Sequence, residues 1–484
     1  MDLDAAACFR AAATRDARFD GRFFIAVKTT GIYCRPICPA RTPKPENVIF
    51  FPSAAAAQEA GFRPCLRCRP ETAPDLAVWR GTSNTVTRAL GLIEKGGLDG
   101  VGIEALADRL GVGERQLRRL FRQHLGASPI AVAQTRRVLL AKHLIDQTRL
   151  PMAQVALAAG FGSIRRFNET FQRLYGRPPS TLRRGGAGEV VRTGDVSILL
   201  PYRPPYDWPA MLAFLGARAI PGVEAVTCDT YTRTIAIGGV HGTVTVQPTN
   251  GHALRATIRF PDLSALPGIV ARLRRVFDLA SDPELIGAHL AEDPDLAPRV
   301  AARPGLRVAG AWDGFELAVR ALLGQQITVA GAVRLAARLV ATFGEPVSCA
   351  NGAAHGLTHV FPNPDQLADR DLSCLGLTRS RAAALAALAR TVRGEADIFG
   401  PRRSLDDAIR TLRTLPGVGE WTAQYIAMRE MREPDAFPAA DVGLLRSMAD
   451  GQGRRPSVRE LLARAEQWRP WRAYAAQHLW ASSG

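Results

Sequence analysis

The sequence has no run of apolar residues approaching the ~20 needed to span a bilayer as a helix. Its first residues, Met1-Asp2-Leu3-Asp4-Ala5-Ala6-Ala7-Cys8, show neither the basic nor the apolar region of a signal peptide. Both absences predict a cytosolic protein without a membrane partner. Cysteine is scarce, with 8 in 484 residues, which excludes the disulfide framework of a small secreted domain. No cysteine follows Cys374, so the C-terminal region cannot hold an iron–sulfur cluster on four thiolates.

The length is too great for one ordinary domain, and 47% hydrophobic content is ample for several cores, so three or four domains are expected. A net charge of +17 points to a polyanionic partner. That charge is uneven: residues 1–184 carry 29 Lys and Arg against 15 Asp and Glu, and the remainder 33 against 30. The first third therefore reads as the electrostatic anchor for that polyanion.

Near the C-terminus, Leu415-Pro416-Gly417-Val418-Gly419 opens a helix carrying Trp421 and Tyr425. The two glycines let the backbone turn tightly and bring N–H groups against a phosphate at a helix N-terminus. Asp441 stands where an N-cap is expected, and backbone N–H bonds together with the positive helix end favour a carboxylate there. Either feature alone is weak, since most N-capping aspartates only cap. Taken together, residues 195–484 resemble the helix-hairpin-helix DNA glycosylases, in particular the AlkA-type 3-methyladenine branch. Pro204-Pro205-Tyr206-Asp207-Trp208 and Ala321-Leu322-Leu323-Gly324-Gln325-Gln326-Ile327-Thr328 carry the same resemblance.

The resemblance implies excision of alkylated purines. Asp441 would stabilise oxocarbenium character at the sugar, with water as the final nucleophile. Trp421, Tyr425, Trp480 and Phe214 would form an aromatic pocket favouring a cationic base. Gly417 and Gly419 would hold the DNA backbone, and Gln326 occupies the place of the wedge that fills the gap left by a flipped base, where the best-known members carry leucine. Bifunctional relatives place a Schiff-base lysine where this chain has Trp421, so base removal without strand cleavage is expected. A monovalent cation on the hairpin carbonyls would be the one addition to the metal inventory there.

Toward the N-terminus, Cys34-x3-Cys38 and Cys65-x2-Cys68 supply four soft ligands in two close pairs, the set one tetrahedral Zn²⁺ requires. Spacing alone favours a closed structural site. The flanking Thr29–Pro39 and Ala60–Cys68 segments, however, resemble the Ada-type methylphosphotriester-repair domain. That resemblance makes Cys34 both zinc ligand and methyl acceptor, reacting as a thiolate. Methylation would raise the site's charge from −2 to −1 and strengthen DNA binding, with Arg35, Arg63, Arg67 and Arg69 expected on phosphates.

Between these parts, Ile103–Phe121 and Met152–Phe171 read as two helix-turn-helix units whose glycines, Gly111 and Gly160, are 49 residues apart. The pair resembles an AraC-type DNA-binding domain. Arg115, Gln116, Arg118 and Arg119 on one recognition helix, and Ser163, Arg165, Arg166 and Asn168 on the other, include the side chains that read base edges or grip phosphates.

The expected organisation is a multidomain, mostly α protein with one α+β domain: a zinc domain at 1–76, a tandem helix-turn-helix domain at 82–184, a linker at 185–193, an antiparallel sheet domain at 194–300 and a helix-hairpin-helix glycosylase domain at 301–484. Strands are predicted at 195–202, 223–237, 242–249 and 253–260, with helices at 208–217 and 264–278. Partners would be damaged and promoter double-stranded DNA, with RNA polymerase a further partner in a nucleoid-associated cytoplasmic protein. The rival reading is a transcription activator whose glycosylase-like half only binds DNA. A second alkyl-transfer activity is disfavoured, because none of Cys228, Cys349 and Cys374 lies in a Pro-Cys-His-Arg setting; with Cys8, these are assigned to packing or incidental positions.

Overall fold

The computed structural model describes residues 4–16, 19–73, 84–94, 96–98, 102–183, 195–347, 356–395, 398–400, 402 and 404–482. The expected linker and Cys349 lie outside the described residues. The chain packs as two compact units, residues 1–201 with 262–271, and residues 202–261 with 272–484. No described helix is long and apolar enough to cross a membrane.

The first unit begins with a four-stranded sheet of order β3-β1-β2-β4, built from β1 (Phe24–Val27), β2 (Ile32–Cys34), β3 (Val48–Phe51) and β4 (Arg63–Pro64). Strand β1 runs antiparallel to both β2 and β3, while β2 and β4 are parallel. That last pairing joins the two cysteine pairs: Cys65 N donates to Tyr33 O at 3.0 Å, which sets Cys65 beside the end of β2.

The two helix-turn-helix units follow as helices Ile103–Arg109 with Glu114–Leu125 and Met152–Ala158 with Ile164–Tyr175. Each turn has a glycine with positive φ, Gly111 at 65° and Gly160 at 81°, a conformation that favours glycine. Leu117, Phe121, Phe167 and Phe171 are fully buried, each worth about 1.5–3 kcal/mol of apolar burial. The 19-residue helix Pro129–Gln147, begun by the Ser128 cap and Pro129 at its first position, joins the two units. It also receives the zinc domain: fully buried Lys142 pairs with Glu71, and Arg69 reaches Asp146. Ser53 Oγ donates to Leu125 O at 2.6 Å, and Ser128 Oγ donates to Glu59 Oε1 at 3.0 Å. Strand β5 (Asp195–Pro201) ends this part, with Leu199 N donating to Gln147 Oε1.

In the second unit, β6 (Glu224–Val226), β7 (Tyr231–Ile237), β8 (Val240–Pro248) and β9 (Ala253–Arg259) form consecutive antiparallel pairs. The strand predicted at 223–237 is thus two strands. Thr227 Oγ1 accepts from Thr230 N and Asp229 N, which turns the chain sharply between them. The helix predicted at 264–278 opens as a 3₁₀ turn at Leu263–Ala265 and continues as Leu266–Val276.

A buried ionic lattice joins this sheet to the helix Gly314–Leu323. Arg233 donates to Glu316 at 2.7 Å, Arg320 bridges Glu316 at 2.6 Å and Glu224 at 2.5 Å, and Tyr231 OH donates to Glu224 at 2.6 Å. Such charges are tolerated in a core only when paired and hydrogen-bonded. Burial works against ionisation of Glu224, yet Arg320, Arg233 and the Tyr231 hydroxyl outweigh it and bring its carboxyl down to about 2.

Candidate functional site

A cavity of about 1070 Å³ lies between the sheet and the helices of the second unit. The hairpin forms one wall. Gly417 has φ of 79°, and a Cβ there would come within 2.8 Å of the Ala384 Cβ. Gly419 differs: its φ is −84°, it caps the helix Glu420–Arg429, and a Cβ on it would meet nothing within 4 Å. Gly417 is therefore required by the fold, whereas Gly419 leaves space at the surface of a helix N-terminus, where a phosphate could approach the backbone.

That helix places Trp421 and Tyr425 one turn apart, their rings stacked at 5.2 Å and 9°. Beside them Asp441 caps the helix Val442–Ser447, its Oδ1 accepting from Gly443 N at 2.9 Å and Leu444 N at 3.2 Å. Two indoles complete its shell: Trp480 Nε1 donates to Oδ1 at 2.9 Å and Trp421 Nε1 to Oδ2 at 3.0 Å. A Cβ on Gly443 would come within 2.9 Å of Asp441 Oδ1 and 3.2 Å of Trp480, so that glycine permits the cluster. The carboxylate is held by four donors while its residue still lines the cavity, a fixed anion suited to opposing positive charge.

Phe214, Trp421, Tyr425 and Trp480 all line this cavity. It also contains two residues the sequence reading missed. The guanidinium of Arg218 lies 3.9 Å from the Phe214 ring centroid, and that of Arg429 lies 4.9 Å from Phe214 and 5.2 Å from Tyr425. Arg429 Nη1 donates to Tyr425 OH at 2.5 Å. Burial opposes ionisation of the Tyr425 phenol, but Arg429 and Arg218 outweigh it and lower its pKa below the ordinary tyrosine value. The missed signal was spacing, since each arginine stands four residues after a helical aromatic, Arg429 as the last residue of its helix and Arg218 two residues past the end of Trp208–Gly216.

Gln326 is exposed at the cavity mouth with φ of 59°, a backbone conformation unusual for a residue with a side chain. Its neighbour Gln325 locks the loop to the hairpin, donating to Gly417 O at 2.9 Å and Thr422 Oγ1 at 3.1 Å. Ile327 and Val329 are exposed apolar residues on the same rim. No lysine is among the described residues lining the cavity, and the last lysine of the sequence is Lys142, far short of this region.

In the first unit, Cys34, Cys38, Cys65 and Cys68 bring their sulfurs within 4.8 Å of one another. Tetrahedral Zn–S bonds of about 2.3 Å place sulfurs about 3.8 Å apart, so the quartet fits one Zn²⁺. Backbone N–H groups donate to three sulfurs: Arg35 to Cys68 and Arg67 to Cys65, each at 3.3 Å, and Ala40 to Cys38. Cys34 has no such bond among the described contacts and is 9% exposed, while Cys38 is the more open sulfur.

Two expected phosphate contacts are corrected. Arg35 is bound to buried Asp20 and to Cys68 O, and Arg69 pairs with Glu71 and Asp146, so both guanidinium groups serve the fold. Arg67 is exposed and Arg63 half-buried.

The recognition helices present Arg115, Gln116, Arg118, Arg119, Arg165, Arg166 and Asn168 as exposed side chains. Arg118 pairs with Glu114 and Arg165 with Glu169. Ser163 is the cap rather than a face residue, its Oγ accepting from Arg166 N at 3.2 Å.

Comparison with known proteins follows the same divisions. Residues 7–71 match the metal binding domain of Ada and residues 106–185 a helix-turn-helix domain. Residues 197–313 match the AlkA N-terminal domain, and residues 319–472 the HhH-GPD superfamily base excision DNA repair proteins. The chain is 42% identical over 486 residues to the "Probable bifunctional transcriptional activator/DNA repair enzyme AlkA" of Mycobacterium tuberculosis (strain ATCC 25618 / H37Rv), covering 100% of this chain and 97% of that protein. It is 36% identical over 296 residues to "DNA-3-methyladenine glycosylase 2" of Escherichia coli (strain K12), covering 59% of this chain and 97% of that protein. In fold, 60% of this chain superposes on 98% of the 3-methyladenine DNA glycosylase of Archaeoglobus fulgidus, with a TM-score of 0.52 at 21% identity. The chain thus belongs to the AlkA family of bifunctional transcriptional activators and DNA repair enzymes, in which an Ada-type zinc domain and a helix-turn-helix region precede a helix-hairpin-helix glycosylase.

Proposed function

We propose that this protein responds to DNA alkylation in two ways: residues 194–484 hydrolyse the N-glycosidic bond of flipped alkylated purines, and residues 1–184 accept a methyl group and bind specific DNA. The observation that carries the first part is the carboxylate of Asp441, gripped by Trp421, Trp480, Gly443 and Leu444 on the wall of an aromatic cavity. As the bond to the base lengthens, positive charge grows at C1′ and the ring oxygen, and a fixed anion lowers that barrier. Water then bonds to C1′. Trp421 in place of a lysine supports base removal without strand cleavage, because no amine is at hand to trap the sugar.

Zn²⁺, when bound by the four cysteines, keeps their sulfurs as thiolates. Cys34, with no backbone hydrogen bond to its sulfur among the described contacts, keeps the most available electron pair, which supports it as the methyl acceptor. The S–CH₃ bond forms as the CH₃–O bond breaks, and the phosphodiester oxygen leaves with the electron pair. Methylation removes one negative charge, strengthening attraction to phosphates, with Arg67 placed at the surface to use it. Promoter recognition would use the two recognition helices, with RNA polymerase a partner and the nucleoid of the cytoplasm as location.

Incubating the chain with duplex DNA containing 3-methyladenine tests the glycosylase: free base and an intact strand with an abasic site are expected. No released base, or equal release by Asp441→Asn, overturns it. For the acceptor, transfer of a labelled methyl group from a methylphosphotriester to Cys34→Ser at the wild-type level overturns the assignment.

A further inference from the structure

Two guanidinium groups stand directly against the rings of the aromatic cavity, an arrangement that a pocket built only for cationic bases would not require. Glu224 and Glu316 are paired with Arg233 and Arg320, and Asp313 and Glu420 also line the cavity, so the charged groups set against the aromatic rings themselves are Asp441, Arg218 and Arg429. Arg429 is tied to the fold through all three nitrogens: Nε donates to Ala309 O at 2.8 Å, Nη2 to Gly310 O at 3.3 Å and Nη1 to Tyr425 OH. Arg218 is held differently. Its Nη1 donates to Phe214 O at 3.2 Å, the guanidinium bonds the Tyr425 side chain, and it lies over the Phe214 ring while lining the cavity. Burial pulls its pKa down from the ordinary arginine value, but a guanidinium stays protonated in proteins.

We propose that Arg218 is a specificity-determining residue of the glycosylase, donating to an acceptor atom of a flipped neutral base and stabilising the negative charge that base takes on as it leaves. The proposal rests on the glycosylase reading above. When the C1′–N9 bond breaks, its electron pair goes to the base, and water supplies oxygen to C1′. A neutral purine with a carbonyl, such as hypoxanthine, departs as an anion and afterwards takes the proton released from water. A fixed guanidinium stabilises that anion. A cationic base such as 7-methylguanine departs neutral, gains nothing from Arg218, and is opposed by it in the ground state. One residue therefore sets the balance between two classes of lesion.

The experiment measures single-turnover excision of hypoxanthine and of 7-methylguanine from otherwise identical duplexes by the full chain, wild type and Arg218→Met. The expected result is a loss of tenfold or more on hypoxanthine, with 7-methylguanine excision unchanged or faster; Arg218→Lys, which keeps the charge, recovers most of the hypoxanthine rate. Equal losses on both substrates would mark a merely structural role and overturn the proposal, as would an unmoved ratio or a wild type that leaves hypoxanthine untouched. Arg218→Gln, close in size and uncharged, replaces the methionine variant if that one does not fold. A wild type that releases neither base defeats the glycosylase reading itself, whereas release of 7-methylguanine with an unchanged ratio defeats only the role of Arg218.

Discussion

Replacing Asp441 by asparagine separates the chemistry of this residue from its structural work. The amide oxygen can keep the Oδ1 bonds from Gly443, Leu444 and Trp480, and asparagine is as good an N-cap as aspartate. At the Oδ2 position an NH₂ group would face the Trp421 indole N–H, donor against donor, with a cost of about 1–3 kcal/mol. The unfolding midpoint should therefore drop by a few degrees, at about 2–4 °C per kcal/mol for a unit of this size. The chemical loss should be larger. A unit charge about 4 Å from the developing cation is worth about 4 kcal/mol at an effective dielectric of 20. That corresponds to about a 10³-fold slower step. The assay is single-turnover release of 7-methylguanine from duplex DNA, with substrate binding measured separately on an abasic-site duplex. A folded Asp441→Asn protein that binds normally and retains more than about a tenth of the wild-type rate would refute the electrostatic role.

Removing Glu71's charge with Glu71→Gln should leave buried Lys142 with only Asp146, 3.8 Å away and shared with Arg69, as counter-charge and destabilise the first unit by about 3 kcal/mol, whereas Glu71→Leu with Lys142→Met should recover much of it; urea titration followed by circular dichroism distinguishes the two. Burial pushes the His478 imidazole down to about 4. The unfolded chain binds that proton near pH 6.5, so the stability is fully present above this pH and is lost on acidification toward 4, by about 3 kcal/mol at most. Urea midpoints read by tryptophan fluorescence at pH 7 and pH 4.5 should therefore converge more for His478→Gln than for the wild type. The purified chain should hold one Zn²⁺ by elemental analysis, and Cys65→Ser should release it. Ile327→Ala should weaken binding to an abasic-site duplex more than Gln326→Ala if apolar contact with the base stack governs at this rim, and equal losses would argue for the loop as a unit.

Local features were the most legible. The four thiols, the glycine-turned helix pairs and the cap at Asp441 each depend on residues close in sequence, where spacing and backbone preference decide the outcome. The long helix Pro129–Gln147 was missed although Ser128 and Pro129 announce its start, because its apolar residues face partners on several sides and leave no single stripe. Arg35 and Arg69 were misread for a different reason. Their context beside zinc ligands looked like a basic surface, but Asp20 lies 15 residues before Arg35 and Asp146 lies 77 residues after Arg69, and local pattern cannot reveal such partners; only Glu71, two residues from Arg69, was in local view. The four rings named from the sequence line one cavity, but the charges beside them were not legible, since Arg218 comes to Tyr425 from a turn 207 residues earlier in the chain.

The sequence by itself determined the kinds of chemistry available: soft ligands for one metal ion, basic helices for a duplex, a hairpin with a carboxylate following it, and no amine for lyase chemistry. These follow from residue type and short-range spacing. Only the tertiary structure decided how the groups act on one another. It turned two indoles from different helices onto the Asp441 carboxylate, paired Lys142 with Glu71 in a core, and set Arg218 and Arg429 against the aromatic wall. Charges and hydrogen bonds act over a few ångströms of space, and packing alone determines which distant segments come that close.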